Sequence, residues 1–147
     1  MRASLTVTAY LLIGIAPVAA DECRPNHVEF DVCAFAREVQ TKTAPSLPIK
    51  ISANVTFINI LAVGPLLSIG VQWNFTATQI DVLISASQKT PEQFYAAMDE
   101  YNKNSICGSP DTAAFVRLGG SAQYIYMTTD GKTVRTIRIS NCPAAQK

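Results

Sequence analysis

Two stretches of strict alternation, one on each side of a Gly-Pro step, constrain this chain more than any other feature. Ile49, Ile51, Ala53, Val55 and Phe57 alternate with Lys50, Ser52, Asn54 and Thr56. After Gly64-Pro65 the pattern resumes, with Leu67, Ile69, Val71, Trp73, Phe75 and Ala77 set against Ser68, Gly70, Gln72, Asn74, Thr76 and Thr78. Successive strand residues point to opposite faces, so each stretch predicts a strand with one apolar and one polar side. The turn between them predicts an antiparallel hairpin packed on one face only. At Gln79 the phase slips, because Ile80, Val82 and Ile84 fall on even positions. That predicts a bulge or turn and then a third strand over 80–85.

Helical signals flank this sheet. Val32, Phe35, Ala36 and Val39 recur at helical spacing behind Asp31, predicting an amphipathic helix over 31–42, and Pro45 and Pro48 make the next segment an extended linker. Thr90-Pro91-Glu92-Gln93 combines an N-cap, a proline at the first helical position and a capping box, ahead of an apolar stripe of Phe94, Ala97, Met98 and Tyr101. Ser109-Pro110-Asp111 repeats the start signal, and the short helix it opens stops at Gly119-Gly120. Segments 121–129 and 132–140 flank Asp130-Gly131, which predicts a closing hairpin on a type I′ turn. The order of elements predicts an α+β fold: an antiparallel sheet of about five strands in two hairpins, with two to three short helices on one face. With 147 residues, 48% hydrophobic and 16% charged, the chain fits one such domain over 21–147.

The first twenty residues read as an export signal. Met1-Arg2 is followed by an apolar run through Ala16 and then by Pro17-Val18-Ala19-Ala20, with small residues at the −3 and −1 positions of a cleavage before Asp21. That run is shorter than the ~20 residues a membrane span needs. The later apolar stretch, 58–69, is interrupted by Asn59, Gly64 and Pro65, so no stable membrane insertion is expected. Asp21 and Glu22 separate Ala20 from Cys23, which argues against lipidation of that cysteine. The expected location is therefore periplasmic or secreted. In that oxidising setting Cys23, Cys33, Cys107 and Cys142 predict two disulfides. Of the three connectivities, Cys23–Cys33 with Cys107–Cys142 is preferred, closing one local loop and tying the last strand to the segment before the final hairpin.

Charge and motif content narrow the function. Twelve basic residues stand against eleven acidic ones, and cleavage after Ala20 would remove Arg2 and balance them. That gives no basis for nucleic-acid binding or a polybasic membrane contact. His27 is the single histidine, so any histidine-dependent catalytic triad would have to be built around it, and no Gly-x-Ser-x-Gly accompanies it. Cys23, His27 and Cys33 have ligand-like spacing but no fourth ligand, and oxidation competes for the two thiols. Gly119-Gly120 lies at a helix end, the wrong place for a phosphate site. Neither a metal nor a cofactor is expected. Asn54-Val55-Thr56 and Asn74-Phe75-Thr76 match the N-glycosylation pattern and are read as chance in a Thr-rich sheet.

What remains is surface. The polar side of the first hairpin, including Thr56, Gln72, Asn74 and Thr76, is almost uncharged. The hairpin tip carries apolar Leu66. Tyr124 and Tyr126 share one strand face, with Arg135 opposite Tyr126, an arrangement suited to stacking or to roofing a small core. These residues are the candidate binding surface of a non-enzymatic protein that docks another protein, either as an accessory or chaperone-like subunit of an envelope assembly or as an inhibitor. The alternative is a small secreted hydrolase or effector acting on envelope or host polymers, built on an acid or base such as Asp81, Glu100 or Asp111.

Overall fold

The computed structural model describes residues 22–25 and 29–144; the expected signal segment and His27 lie outside the described residues. Asp31 caps the first helix, α1 (Val32–Thr43), by accepting from the Ala34 N–H at 2.8 Å. A 3-10 turn, Ala44–Ser46, leads into β1 (Ile49–Ser52), β2 (Val55–Val63) and β3 (Leu66–Trp73). Three helices follow, α2 (Ala77–Ala86), α3 (Pro91–Gly108) and α4 (Pro110–Arg117), and then β4 (Ser121–Met127) and β5 (Thr133–Ile139).

All five strands form one sheet in the order β1-β2-β3-β4-β5. The fold is α+β, as the pattern of elements implies. Two pairings depart from expectation. The stretch over 49–57 is not one strand: it folds back at Ala53-Asn54, where the Asn54 N–H donates to Ser52 Oγ, so that β1 pairs with β2. And β3 and β4 run parallel, Leu66 beside Ser121 through Gln72 beside Met127, so the sheet is mixed. The cause is α2. The segment expected to be a third strand is a helix, opened by a capping box in which Thr76 accepts from the Gln79 N–H and the Gln79 side chain accepts from the Thr76 N–H. Ile80 and Ile84, one helical turn apart, are buried while Val82 between them is 63% exposed, so the 3.6-residue period prevails over the two-residue one. The connection from β3 to β4 is then wholly helical, and a crossover of that kind delivers a parallel strand. The described chain thus has four α-helices where two or three were expected.

The core lies on one face of the sheet. Leu67, Ile69 and Val71 of β3, Ala122, Tyr124 and Tyr126 of β4, and Ile137 and Ile139 of β5 meet Val32 and Ala36 of α1, Ile106 of α3 and Phe115 and Val116 of α4. Phe35 stacks on Phe115 with centroids 5.0 Å apart, joining α1 to α4. Gly120 admits that ring: a β-carbon there would lie 2.2 Å from a Phe115 ring carbon. Ile80 and Ile84 are buried outside this cluster.

The closing hairpin is looser than a type I′ turn. The Thr128 N–H donates to the Lys132 carbonyl at 2.9 Å, and Gly131 alone in the loop has positive φ, +79°, whereas type I′ needs positive φ at both central residues. The result is a three-residue loop, with the register of β4 and β5 slipping between Tyr126 and Met127. Both disulfides have the preferred connectivity, Cys23–Cys33 and Cys107–Cys142.

Candidate functional site: an aromatic groove between the third helix and the first sheet edge

Helix α3 is fastened along one flank only. On the β5 side, Asp99 accepts from Arg135 Nε at 3.1 Å and from its terminal nitrogen, and the guanidinium lies 5.6 Å from the centre of the Tyr95 ring. Asp99 in turn raises the Arg135 pKa. Further along, Asn102 reaches the sheet, and Cys107 is bonded to Cys142 just past β5. Toward β1 and β2 the same helix stands off, leaving a groove of about 550 Å³. That volume is within the range of ligand and side-chain pockets.

The groove has an aromatic floor. Phe57 of β2, Trp73 of β3 and Tyr124 and Tyr126 of β4 share the core face of three adjacent strands, with Trp73 5.3 Å from Tyr126 and Phe57 6.2 Å from Tyr124, centroid to centroid. Met98, Tyr101, Asn102 and Ser105 form one wall, a stripe with the 3–4–7 spacing of one helical face. Ile51, Ser52 and Val55 form the other. Tyr101 is 71% exposed and Ile51 50% exposed, so the rim is apolar and open. This revises the expected stripe of α3: its buried positions are Asn102 and Ile106, one step round from Tyr101.

Polar atoms sit at the base. Tyr126 donates its hydroxyl hydrogen to Asn102 Oδ1 at 2.8 Å, and Asn102 Nδ2 donates to the Met98 carbonyl at 2.7 Å. Burial, with the neighbouring Tyr126 adding to it, pushes the Tyr124 phenol up to about 12; a hydrogen bond to Ser105 opposes the shift. Burial raises Tyr126 too, against the pull of Asn102. No Asp, Glu, Lys, Arg or His lines the groove among the described residues.

Tyr124 and Tyr126 are thus floor residues, each 6% exposed. Arg135 does stand opposite Tyr126 in register, but its side chain turns to Asp99 and Tyr95. Thr56 and Gln72 are cross-strand neighbours on the face turned away from the core. Asn74 and Thr76 lie beyond the end of β3 and serve the backbone: Asn74 Nδ2 donates to the Ala53 carbonyl, and Thr76 caps α2. At the hairpin tip Leu67 is buried, Leu66 half-buried, and Leu61 and Val63 more than half exposed. Among the described residues the edge strands are β1 and β5, whereas 80–85, a strand on the alternation alone, is helical. Asp31 lies with Cys23 and Cys33, but the disulfide occupies both sulfurs. Asp99 and Glu100 line a shallower depression on the other side of α3, together with Lys103 and Arg138. Trp73, Met98, Asn102 and Ser105 do not stand out as site residues in the sequence, although a single tryptophan beside a tyrosine strand is a signal for one.

No protein-family model and no curated protein matches this chain. Solved structures do match it. A protein of Pseudomonas aeruginosa inferred to be secreted aligns over 74% of this chain and 88% of its own, with a TM-score of 0.58 and 13% identity. The pilotin EpsS of the Vibrio vulnificus type 2 secretion system aligns over 74% and 87%, with a TM-score of 0.55 and 12% identity. The type II secretion system pilotin AspS of Vibrio cholerae aligns over 74% and 88%, with a TM-score of 0.54 and 14% identity. The fold is shared with type II secretion pilotins. Among the described residues no helix is long and apolar enough to cross a membrane.

Proposed function

We propose that this protein is an exported, non-enzymatic accessory subunit of a cell-envelope assembly, and that it holds an apolar segment of a partner protein in the groove between α3 and β1–β3. The observation that carries this reading is the groove itself: an aromatic floor, an open apolar rim and no ionisable acid or base other than tyrosine among the described residues. Such a surface suits side-chain anchoring better than bond cleavage. The signal-like pattern of residues 1–20, the two disulfides and a fold shared with pilotins support the placement in the envelope.

The test is affinity capture from the envelope fraction of the source cell, comparing the wild type with two charge insertions. Tyr101→Arg places a cation on the groove rim, and Val82→Arg places one on the equally exposed face of α2. A stoichiometric partner lost with Tyr101→Arg and kept with Val82→Arg is the expected outcome. A partner lost only with Val82→Arg moves the docking face to α2 and ends the groove reading.

A further inference from the structure

The chemistry of the groove also bears on its occupant, and an inference about that occupant rests on the groove being a docking site. We propose that the Asn102–Tyr126 pair makes the groove select an uncharged apolar segment carrying one hydrogen-bonding side chain, Asn, Gln, Ser or Thr, among its apolar anchors.

Charge sets the first requirement. Lys50 is the only charged residue between Thr43 and Ile80, the stretch that contains β1, β2 and β3, and α3 presents Met98, Tyr101, Asn102 and Ser105 to the same space. Beyond Glu92 in its first turn, the charges of α3 lie on its other flank, where Asp99, Glu100 and Lys103 face Arg135 and Arg138. A carboxylate or ammonium brought into the groove would lose its hydration and meet no counter-charge, a strongly unfavourable transfer. The complementary occupant is neutral.

Hydrogen-bond capacity sets the second. Asn102 is 3% exposed, and an Asn amide can take part in four hydrogen bonds. Two are made, one from Tyr126 to Oδ1 and one from Nδ2 to Met98, which leaves one donor and one acceptor site beside the remaining lone pairs of the Tyr126 oxygen. Asn102 lines the groove, so this capacity lies at its base. A wholly apolar segment would seal it off unpaired, whereas an amide or hydroxyl side chain would satisfy it. Recognition through backbone pairing is disfavoured at this edge, because β1 has four residues, a register shift between Lys50 and Ser52, and a lysine in its middle.

The test is selection of tryptophan-free random 16-residue peptides on the purified protein with both disulfides intact, against Tyr101→Arg as the counter-target. Winners are titrated by fluorescence of Trp73, the sole tryptophan, which lies in the groove floor. The proposal expects winners that shift Trp73 emission and share one Asn, Gln, Ser or Thr between apolar residues. Changing that residue to Leu should weaken binding roughly tenfold on the wild type and hardly at all on Asn102→Leu/Tyr126→Phe, while Asp or Glu there should weaken it on the order of a hundredfold. Winners that shift Trp73 but carry a conserved charge, or that tolerate Leu equally on both proteins, overturn the proposal and leave the groove as a docking site. Winners that leave Trp73 unmoved, or no enrichment over the counter-target, overturn the groove reading itself.

Discussion

The Tyr126–Asn102 hydrogen bond offers a sharp test of how the base of the groove is held. Its distance is 2.8 Å, and both residues are among the buried ones. Tyr126→Phe removes the hydroxyl with little change of shape and leaves Asn102 Oδ1 without its donor. Stranding a buried acceptor costs about 1–3 kcal/mol. Asn102→Leu, with the same branching and number of heavy atoms, strands the Tyr126 hydroxyl instead and falls in the same range. In the double variant neither group is left over, and an apolar pair of similar shape is nearly neutral. The double variant should therefore be more stable than either single one, with a coupling of about 1–3 kcal/mol in its favour. For a domain of this size each kcal/mol corresponds to roughly 3 °C in the melting midpoint. Urea unfolding of all four proteins, followed by Trp73 fluorescence and by far-ultraviolet circular dichroism, closes the cycle. Single-variant losses that simply add in the double variant would refute the reasoning, since they would mean the two groups are satisfied independently.

Other perturbations target the packing and the ionisable groups. Gly120→Ala drives a methyl into the Phe115 ring and should lower stability by about 1–3 kcal/mol in thermal melts, whereas Gly108→Ala, with open space around it, should be neutral or slightly stabilising. Thr76→Ala opens the capping box of α2 and should cost about 1 kcal/mol, checked by urea unfolding, with loss of amide-exchange protection confined to the start of that helix. Replacing Cys107 and Cys142 by Ser frees a separation of 35 residues and should cost about 4 kcal/mol by the chain-entropy model, against about 3 for Cys23 and Cys33 with a separation of 10, measured as the difference between the two variants in urea. Tyr124 keeps its proton to about pH 12 in the folded state but ionises near 10 once unfolded, so its contribution is complete below pH 10 and lost as pH rises toward 12. Absorbance at 295 nm should show a late phenolate step that Tyr124→Phe removes.

Local signals carry most of the architecture. Asp31, Thr90-Pro91-Glu92-Gln93 and Ser109-Pro110 each mark a helix start found in the structure, the first two through side-chain caps and the third through Pro110 at the first helical position, since the Ser109 side chain makes no cap bond; such signals depend only on residues within one turn. The Gly64-Pro65 turn joins β2 to β3 as the expected antiparallel hairpin, but the alternation over 49–57 is not one of its strands: it folds back at Ala53-Asn54 into β1 and the start of β2, a turn that unbroken alternation conceals. The segment after Thr76 is ambiguous on period alone, since Ile80, Val82 and Ile84 satisfy a two-residue repeat while Ile80 and Ile84 satisfy a helical one. Thr76 and Gln79, a capping pair three residues apart, hold the deciding information. The parallel neighbour of β3 is beyond local reading, because it depends on where three helices return the chain.

The groove is legible only in fragments. Tyr124 and Tyr126 stand out as a pair on one strand face, and Met98 and Tyr101 as part of a helical stripe. Their convergence depends on α3 being pinned to β5 by Asp99–Arg135 and Cys107–Cys142 while standing clear of β1, contacts between residues 35 or more positions apart. Asn102 carries no sequence signal of its own. A polar residue one step from an apolar stripe reads as solvated until the Tyr126 hydroxyl is seen beneath it.

The central claim, that the groove is where this protein meets its partner, is tested most directly by site-specific photocrosslinking in the source cell. A photoreactive phenylalanine analogue at Tyr101 stands on the groove rim, and the same analogue at Val82 stands on the exposed face of α2. The account predicts one discrete protein adduct from Tyr101, absent from Val82 and lost when Asp is placed at Trp73 in the groove floor. The same adduct from Val82, with none from Tyr101, would contradict it.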